Sequence, residues 1–223
     1  CLLSRGLGDV YKRQEFENDL NIFIEIKPKH IAAYCLTIEE KTVFGKQMEK
    51  GELQDVSEEI SSKQYLQISD TLQKEGYNHY EISNYGLPNH ESKHNTSYWQ
   101  NKKYLGLGPS AHSYNGNNRI FNLANNAQYI KAISNNTRFS ETEILTLENQ
   151  INEHILTRLR TSKGIDLEHF ESLFGATQYT RLVLKAKKMI GQEFIITNKN
   201  QLTLTRKGKL LADSICESLF CEI

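Results

Sequence analysis

The sequence predicts an α/β protein, with a β/α layered domain followed by a small winged-helix-like α+β unit. Two stretches of the chain predict it. From Glu15 to Ile82 the apolar spacing runs helix, strand, helix, strand, which is the rhythm of a layered domain. From Glu141 to Phe220 it runs through three helices, a hairpin and a last helix. Composition agrees: 223 residues with 27 basic and 27 acidic side chains, 38% hydrophobic content and three prolines are globular proportions. A collagen, a disulfide scaffold and a disordered charged tail are excluded. No apolar stretch approaches the ~18 residues a membrane span needs, and balanced charge supplies no global field toward nucleic acid or anionic lipid. Cysteines at 1, 35, 216 and 221 form no CxxC pair; their scatter suits reduced thiols in a cytoplasmic protein.

Residues 1–14, CLLSRGLGDVYKRQ, have neither helical nor strand period and are expected to be an artefactual, poorly ordered leader. Phe16, Leu20, Phe23, Ile24 and Ile26 then recur at near-helical spacing until Lys27-Pro28-Lys29 stops the helix. His30–Ile38 is apolar on both alternations, the mark of a parallel strand covered on both faces. The charged residues after it read as an exposed connection. A helix from about Ser57 to Lys74 places Ile60, Tyr65, Ile68 and Leu72 on one side and ends at Gly76. Tyr77–Ile82 alternates as a strand.

Residues 83–118 are rich in glycine, asparagine and serine, yet hold four tyrosines, the single tryptophan and three histidines. That composition reads as an ordered, ligand-lining loop with one short strand, Tyr104–Gly108. A helix near Asn125–Ser134 closes it. Glu141–Thr161 is read as an amphipathic helix with Ile144, Leu147, Ile151, Ile155 and Leu159 on one face. Asp166 is an N-cap signal for 166–174, a helix follows from about Gln178 to Gln192, 194–205 is a hairpin, and Arg206–Phe220 is helical again. The domain boundary is expected near 135–141.

The chemistry concentrates in His94-Asn95-Thr96-Ser97-Tyr98-Trp99. An imidazole is a common ligand for iron, and tyrosine and tryptophan supply flat apolar surface with a hydrogen-bonding edge, a combination suited to a planar ligand with a metal at its centre. On chemistry alone the same residues suit somewhat better a packed core of Tyr98 and Trp99 in which His94 bonds a loop carbonyl. If the first reading holds, His94 faces a concavity shared with the turn Gly106-Leu107-Gly108-Pro109-Ser110. That turn lacks the spacing and lysine of a phosphate-binding loop and reads instead as a close backbone approach. Glu39 and Glu40 could act as acid and base but read as a solvated edge. Lys185, Lys187, Lys188, Arg206, Lys207 and Lys209 could form a basic patch on the winged unit, offset by neighbouring acidic residues.

Taken in order, HIAAYCLTIEEKT, GYNHYEISNY, HNTSYW and YLGLGPSAHS resemble the second half of the HemW family of radical S-adenosylmethionine proteins. These are haem chaperones related to oxygen-independent coproporphyrinogen III oxidase. The resemblance runs from about Glu15 to Phe220, and GIDLEHFESLFG and LTLTRKGKLLADSI are similar to the family's small C-terminal domain. It implies a leader over 1–14, the C-terminal part of a partial (β/α) barrel with the HNxxYW loop over 15–138, and a winged-helix-like domain over 139–223. By position it implies haem contacts at His94, Asn95, Tyr98 and Trp99, with His94 as the iron ligand, and S-adenosylmethionine contacts at Cys35 and His112.

The implied cofactors are haem, with S-adenosylmethionine and a 4Fe–4S cluster in a full-length protein; the implied partners are haem and acceptor haemoproteins. No CxxxCxxC occurs in the sequence, nor does the glycine-rich strand that receives the methionine group. A truncated reading frame without radical chemistry of its own is therefore expected. Two other functions fit parts of the pattern: coproporphyrinogen III oxidation by a full-length protein, and a winged-helix DNA- or protein-binding adaptor.

Overall fold

The computed structural model describes residues 13–35, 37–53 and 57–222, so the expected leader lies, through residue 12, outside them. The chain divides into two compact units, Cys1–Ser92 and Lys93–Ile223. The α/β class stands. The division falls well before the expected boundary near 139, because a three-stranded sheet runs across that position.

In the first unit, α1 (Arg13–Ile26) ends as expected: Lys27 adopts φ 48° while its N–H still bonds the Phe23 carbonyl, and Pro28 follows. Strand β1 covers only His30–Ala32. Helix α2 (Val43–Glu49) occupies part of the expected connection, capped by the Thr42 hydroxyl, which accepts from the Gly45 N–H at 3.1 Å. Helix α3 (Glu58–Lys74) begins at the Ser57 cap. Strands β2 (Asn78–Glu81) and β3 (Asn84–Gly86) form a hairpin.

The sheet order is β1-β3-β2, and both pairings are antiparallel, with Ile31 opposite Tyr85. The expected parallel pairing of the first strand is not seen. The hairpin's return strand, hidden in the sequence inside the residue 83–118 stretch, takes the central place between β1 and β2. Leu20, Ile31, Ile68, Leu72, Tyr77 and Tyr85 make the core on one face. Ala32 and Tyr34 are exposed, so the strand is covered on one side only.

The second unit begins with α4 (Lys93–Trp99). Strands β4 (His112–Tyr114), β5 (Asn118–Asn122) and β6 (Ser140–Ile144) form an antiparallel sheet, and α5 (Asn126–Ser134) lies between β5 and β6 in sequence. The Tyr104–Gly108 strand reduces to one bridge between Tyr104 and Tyr114. Residues 141–144, read as helix, pair instead with β5, from Asn118 opposite Ile144 to Asn122 opposite Ser140. Helix α6 (Leu147–Leu159) starts later because Thr146 and Asn149 form a capping box. Ile144 therefore leaves the helix face and is exposed.

The remaining elements follow the expected order: β7 (Ile165–Asp166), α7 (Leu167–Phe174), α8 (Ala176–Gly191), β8 (Ile195–Asn198), β9 (Gln201–Leu204), α9 (Arg206–Lys209) and α10 (Ala212–Leu219). The sheet order β7-β9-β8 is that of a winged-helix unit. Asp166 caps α7 by accepting from the His169 N–H at 2.9 Å, and its other oxygen accepts from Gln201 at 2.9 Å, tying helix start to hairpin. The expected last helix is split at Leu210–Leu211 into α9 and α10, with Gly208 backed so closely on the Phe194 carbonyl that a Cβ would lie 2.0 Å from its oxygen.

The winged unit buries His154 with Phe170 and Phe174, ring centroids 5.7 and 5.5 Å away. Burial pushes this imidazole down to about 4, with Arg158 and His169 adding to the effect. An unfolded histidine titrates near ~6.5. As pH falls from there toward 4, the unfolded chain takes a proton that the folded chain refuses, and stability is lost. Between pH 7.5 and 4.5 the expected loss from this group is about 2–3 kcal/mol. Urea unfolding followed by Trp99 emission, in the native chain and in His154→Phe, checks it: the variant should lose less stability on acidification. Equal losses would clear His154 of the effect.

Candidate functional site

His94, Asn95, Tyr98 and Trp99 lie on α4, a two-turn helix where a loop was expected. The spacing explains the helix: His94 and Tyr98 are four apart and share a face, as do Asn95 and Trp99. The Ser97 hydroxyl donates to the Lys93 carbonyl at 2.8 Å, and Asn101, at φ 52°, ends the run with its N–H on the Tyr98 carbonyl. No residue of α4 is fully buried.

The rings form a ladder. His94 meets Tyr98 edge-on at 4.9 Å and 87°, Tyr98 meets Tyr104 at 4.8 Å and 71°, and Tyr104 lies 6.2 Å from Tyr114. Tyr114 anchors the far end: its hydroxyl donates to the Gly116 carbonyl at 2.8 Å, and burial raises its pKa. His94, at the near end, is exposed. It is open to solvent, where a concavity shared with the glycine turn was expected. A cavity of ≈ 250 Å³ lies elsewhere in this unit, lined by Ile151, Phe170, Arg181, Leu182 and Cys221 among others, and includes none of the expected site residues. On α4's other face Trp99 is half-buried, with the Arg160 guanidinium 5.9 Å from its ring centroid.

The glycine turn is folded against β4. A Cβ on Gly106 would lie 2.1 Å from the His112 carbonyl oxygen, and the Gly106 N–H bonds the Ser113 hydroxyl at 2.9 Å. The Gly108 N–H donates to the Tyr129 hydroxyl at 3.1 Å, and its carbonyl accepts from Asn122 at 2.8 Å. His112 opens β4; its ring is exposed and lies 5.7 Å from Phe121.

The HNTSYW helix and the YLGLG turn are thus joined through Tyr98 and Tyr104, and Tyr114 at the ladder's end shares a strand with His112. Cys35 is in the other unit, just past β1, as an exposed free thiol. Among the described residues no three His, Cys, Asp or Glu side chains converge as a metal site. Together with the missing CxxxCxxC, this means the described residues do not fit a 4Fe–4S cluster. Sequence reading missed Tyr104 and Tyr114 as ladder members and Arg160 as a partner of Trp99. The four-residue spacing of His94 and Tyr98 carried the helical signal, but nothing local marks contacts made across 61 residues.

Comparison with known proteins agrees with this architecture. Residues 145–211 match the HemN C-terminal domain. The "Heme chaperone HemW" of Lactococcus lactis is 35% identical over 206 residues, covering 92% of this chain and 54% of the relative. The protein of the same name from Bacillus subtilis is 29% identical, covering 94% and 56%. A solved coproporphyrinogen III oxidase (HemN) from Escherichia coli, described as a radical SAM enzyme, superposes with a TM-score of 0.71 at 16% identity, over 94% of this chain and 52% of that one. The chain spans about half the length of the relatives it matches. No helix among the described residues is long and apolar enough to cross a membrane. With residues 145–211 matching the HemN C-terminal domain and nearly its whole length aligned to about half of proteins named HemW, the chain is similar to the HemW haem chaperones over the part it spans.

Proposed function

We propose that this chain carries the haem-handling surface of a cytoplasmic haem chaperone that binds haem and passes it to acceptor haemoproteins. The observation that carries the reading is an exposed imidazole, His94, standing at the open end of a ladder of tyrosine rings. Haem is here a cargo, so the site must release what it binds. A neutral imidazole offers one lone pair to iron. Tyr98, edge-on to the ring, limits its rotation, and its exposed face gives apolar cover to one side of a porphyrin. Because the imidazole is open to solvent, a ligand from an acceptor can approach the same iron and compete. The names borne by the relatives support the same reading. By family position, Cys35 and His112 are the contacts for S-adenosylmethionine in the whole protein. The described residues do not fit the 4Fe–4S cluster, and cargo binding is built from this chain's own side chains.

Titrating haem into the chain and into His94→Ala should shift the Soret band in the first and not in the second. Identical spectra would remove His94 from the role. Tyr98→Leu should keep the shifted Soret maximum while weakening haem binding roughly two- to tenfold, the range of an aromatic pair. A separate arm tests the scaffold: Gly106→Ala forces a Cβ against the His112 carbonyl and should destabilise the second unit by about 1–3 kcal/mol. Urea unfolding followed by Trp99 emission reads it, and an unmoved midpoint would show that the turn does not need its close approach to β4.

A further inference from the structure

The helix that presents His94 has little of its own to hold it in place. It is seven residues long and none of them is fully buried; isolated helices of that length are marginal in water. Two ring contacts tie its C-terminal turn to the unit, Tyr98 to Tyr104 and Trp99 to Arg160. The second reaches further than the first. Arg160 is the C-cap residue of α6, inside the part of the chain that matches the HemN C-terminal domain. Its guanidinium packs over the Trp99 ring and also donates to a carboxylate oxygen of Asp213, in the first turn of α10. The Arg160 side chain is one-quarter exposed, whereas Asp213 is mostly solvated. The carboxylate therefore acts mainly to aim the fork, since an exposed ion pair contributes little energy. Arginine suits the post because its planar group can stack on an indole and bond a carboxylate at once, which a lysine ammonium does less well.

We propose that Arg160 is the positioning residue for His94, and that Asp213 orients Arg160, so that the C-terminal winged unit sets the pose of the haem-binding helix. The proposal rests on the haem reading of His94. Arg160 touches neither haem nor iron in this scheme. It holds Trp99, five residues along from His94, and thereby fixes the direction in which the imidazole projects.

Trp99 is the single tryptophan of the chain, so its emission reports on this contact without any ligand. In the haem-free chain, Arg160→Met should change Trp99 emission and raise its quenching by acrylamide, while the urea midpoint of the winged unit stays close to that of the native chain. The same variant should weaken haem binding roughly two- to fivefold, in keeping with loss of one cation–π contact, with the Soret maximum retained. Asp213→Asn should show a smaller change of the same kind, and Arg160→Lys should recover part of the quenching protection. Unchanged Trp99 quenching in Arg160→Met overturns the proposal whatever haem does. A Trp99 response with haem affinity unmoved overturns the link to His94. A native chain that gives no Soret shift overturns the haem reading, while the Trp99 response still decides whether Arg160 holds α4.

Discussion

The edge-to-face contact between Tyr98 and Tyr104 is the interaction on which the rest of the site depends. It is the point where a short surface helix meets the turn that leads into β4, and the two rings lie 4.8 Å apart. Without it His94 would stand on a helix that had lost one of the two ring contacts tying its C-terminal turn to the unit. With it, the imidazole becomes the outermost member of a stack whose innermost ring, Tyr114, is bonded to the Gly116 carbonyl. Aromatic pairs of this geometry contribute about 0.5–1.5 kcal/mol beyond area burial, so the helix is held but not locked.

Exposure was the feature least expected of His94, and it changes what the residue can do. A buried axial ligand holds its metal partner in a desolvated pocket and yields it slowly. An exposed one forms the same bond with less support around it and leaves room for a competing ligand. The buried histidines of the chain behave differently. His79 is enclosed in the first unit, stacked on Tyr85 at 4.2 Å and bonded to the Ile82 carbonyl, and His154 is driven toward its neutral form by burial. Both are buried core residues. Among these three, His94 is the one whose ring is open to a partner from outside.

Much of this was legible in the sequence, for identifiable reasons. Helices α1 and α3 announced themselves through apolar spacing and their terminators, and Asp166, Gly175 and the Asn198–Asn200 turn marked the winged unit by chemistry that acts within a few residues. Three readings failed, one because the deciding contact was non-local and two because neighbouring composition outweighed a local signal. Glu-Thr-Glu-Ile at 141–144 sat next to a strong helical pattern and was absorbed into it, although the Thr146–Asn149 capping box was there to start the helix later. The β3 strand was lost because its asparagine and glycine read as loop, while its pairing with β1 lies 54 residues back along the chain. HNTSYW was placed in a loop because its surroundings are rich in asparagine and glycine. Its histidine, tyrosine and tryptophan were singled out as a group by their chemistry, which does not depend on the backbone that holds them, and the structure places all of them on α4.

The winged unit can now be assigned a part that its fold alone would not suggest. Folds of this kind often face nucleic acid with a cationic helix or wing, but here two of the six candidate cations already make contacts within the unit. The Lys185 ammonium donates to the Phe220 carbonyl, and that of Lys207 bonds the Gln192 carbonyl and lies 4.5 Å over the Phe194 ring. Helix α6, by contrast, is directed toward the site on two sides. Glu153 pairs with Arg119 of β5 at 2.7 Å, where the carboxylate more than offsets the effect of burial and raises the arginine's pKa. Arg160 covers Trp99 of α4. The inner face of α6, with Ile151, Ile155 and Leu159, is sealed in the domain core, which makes it stiff enough to serve as a beam. A beam with one face in the core and others holding the sheet and the histidine-bearing helix is what a small domain must provide if its task is to keep a surface site in position.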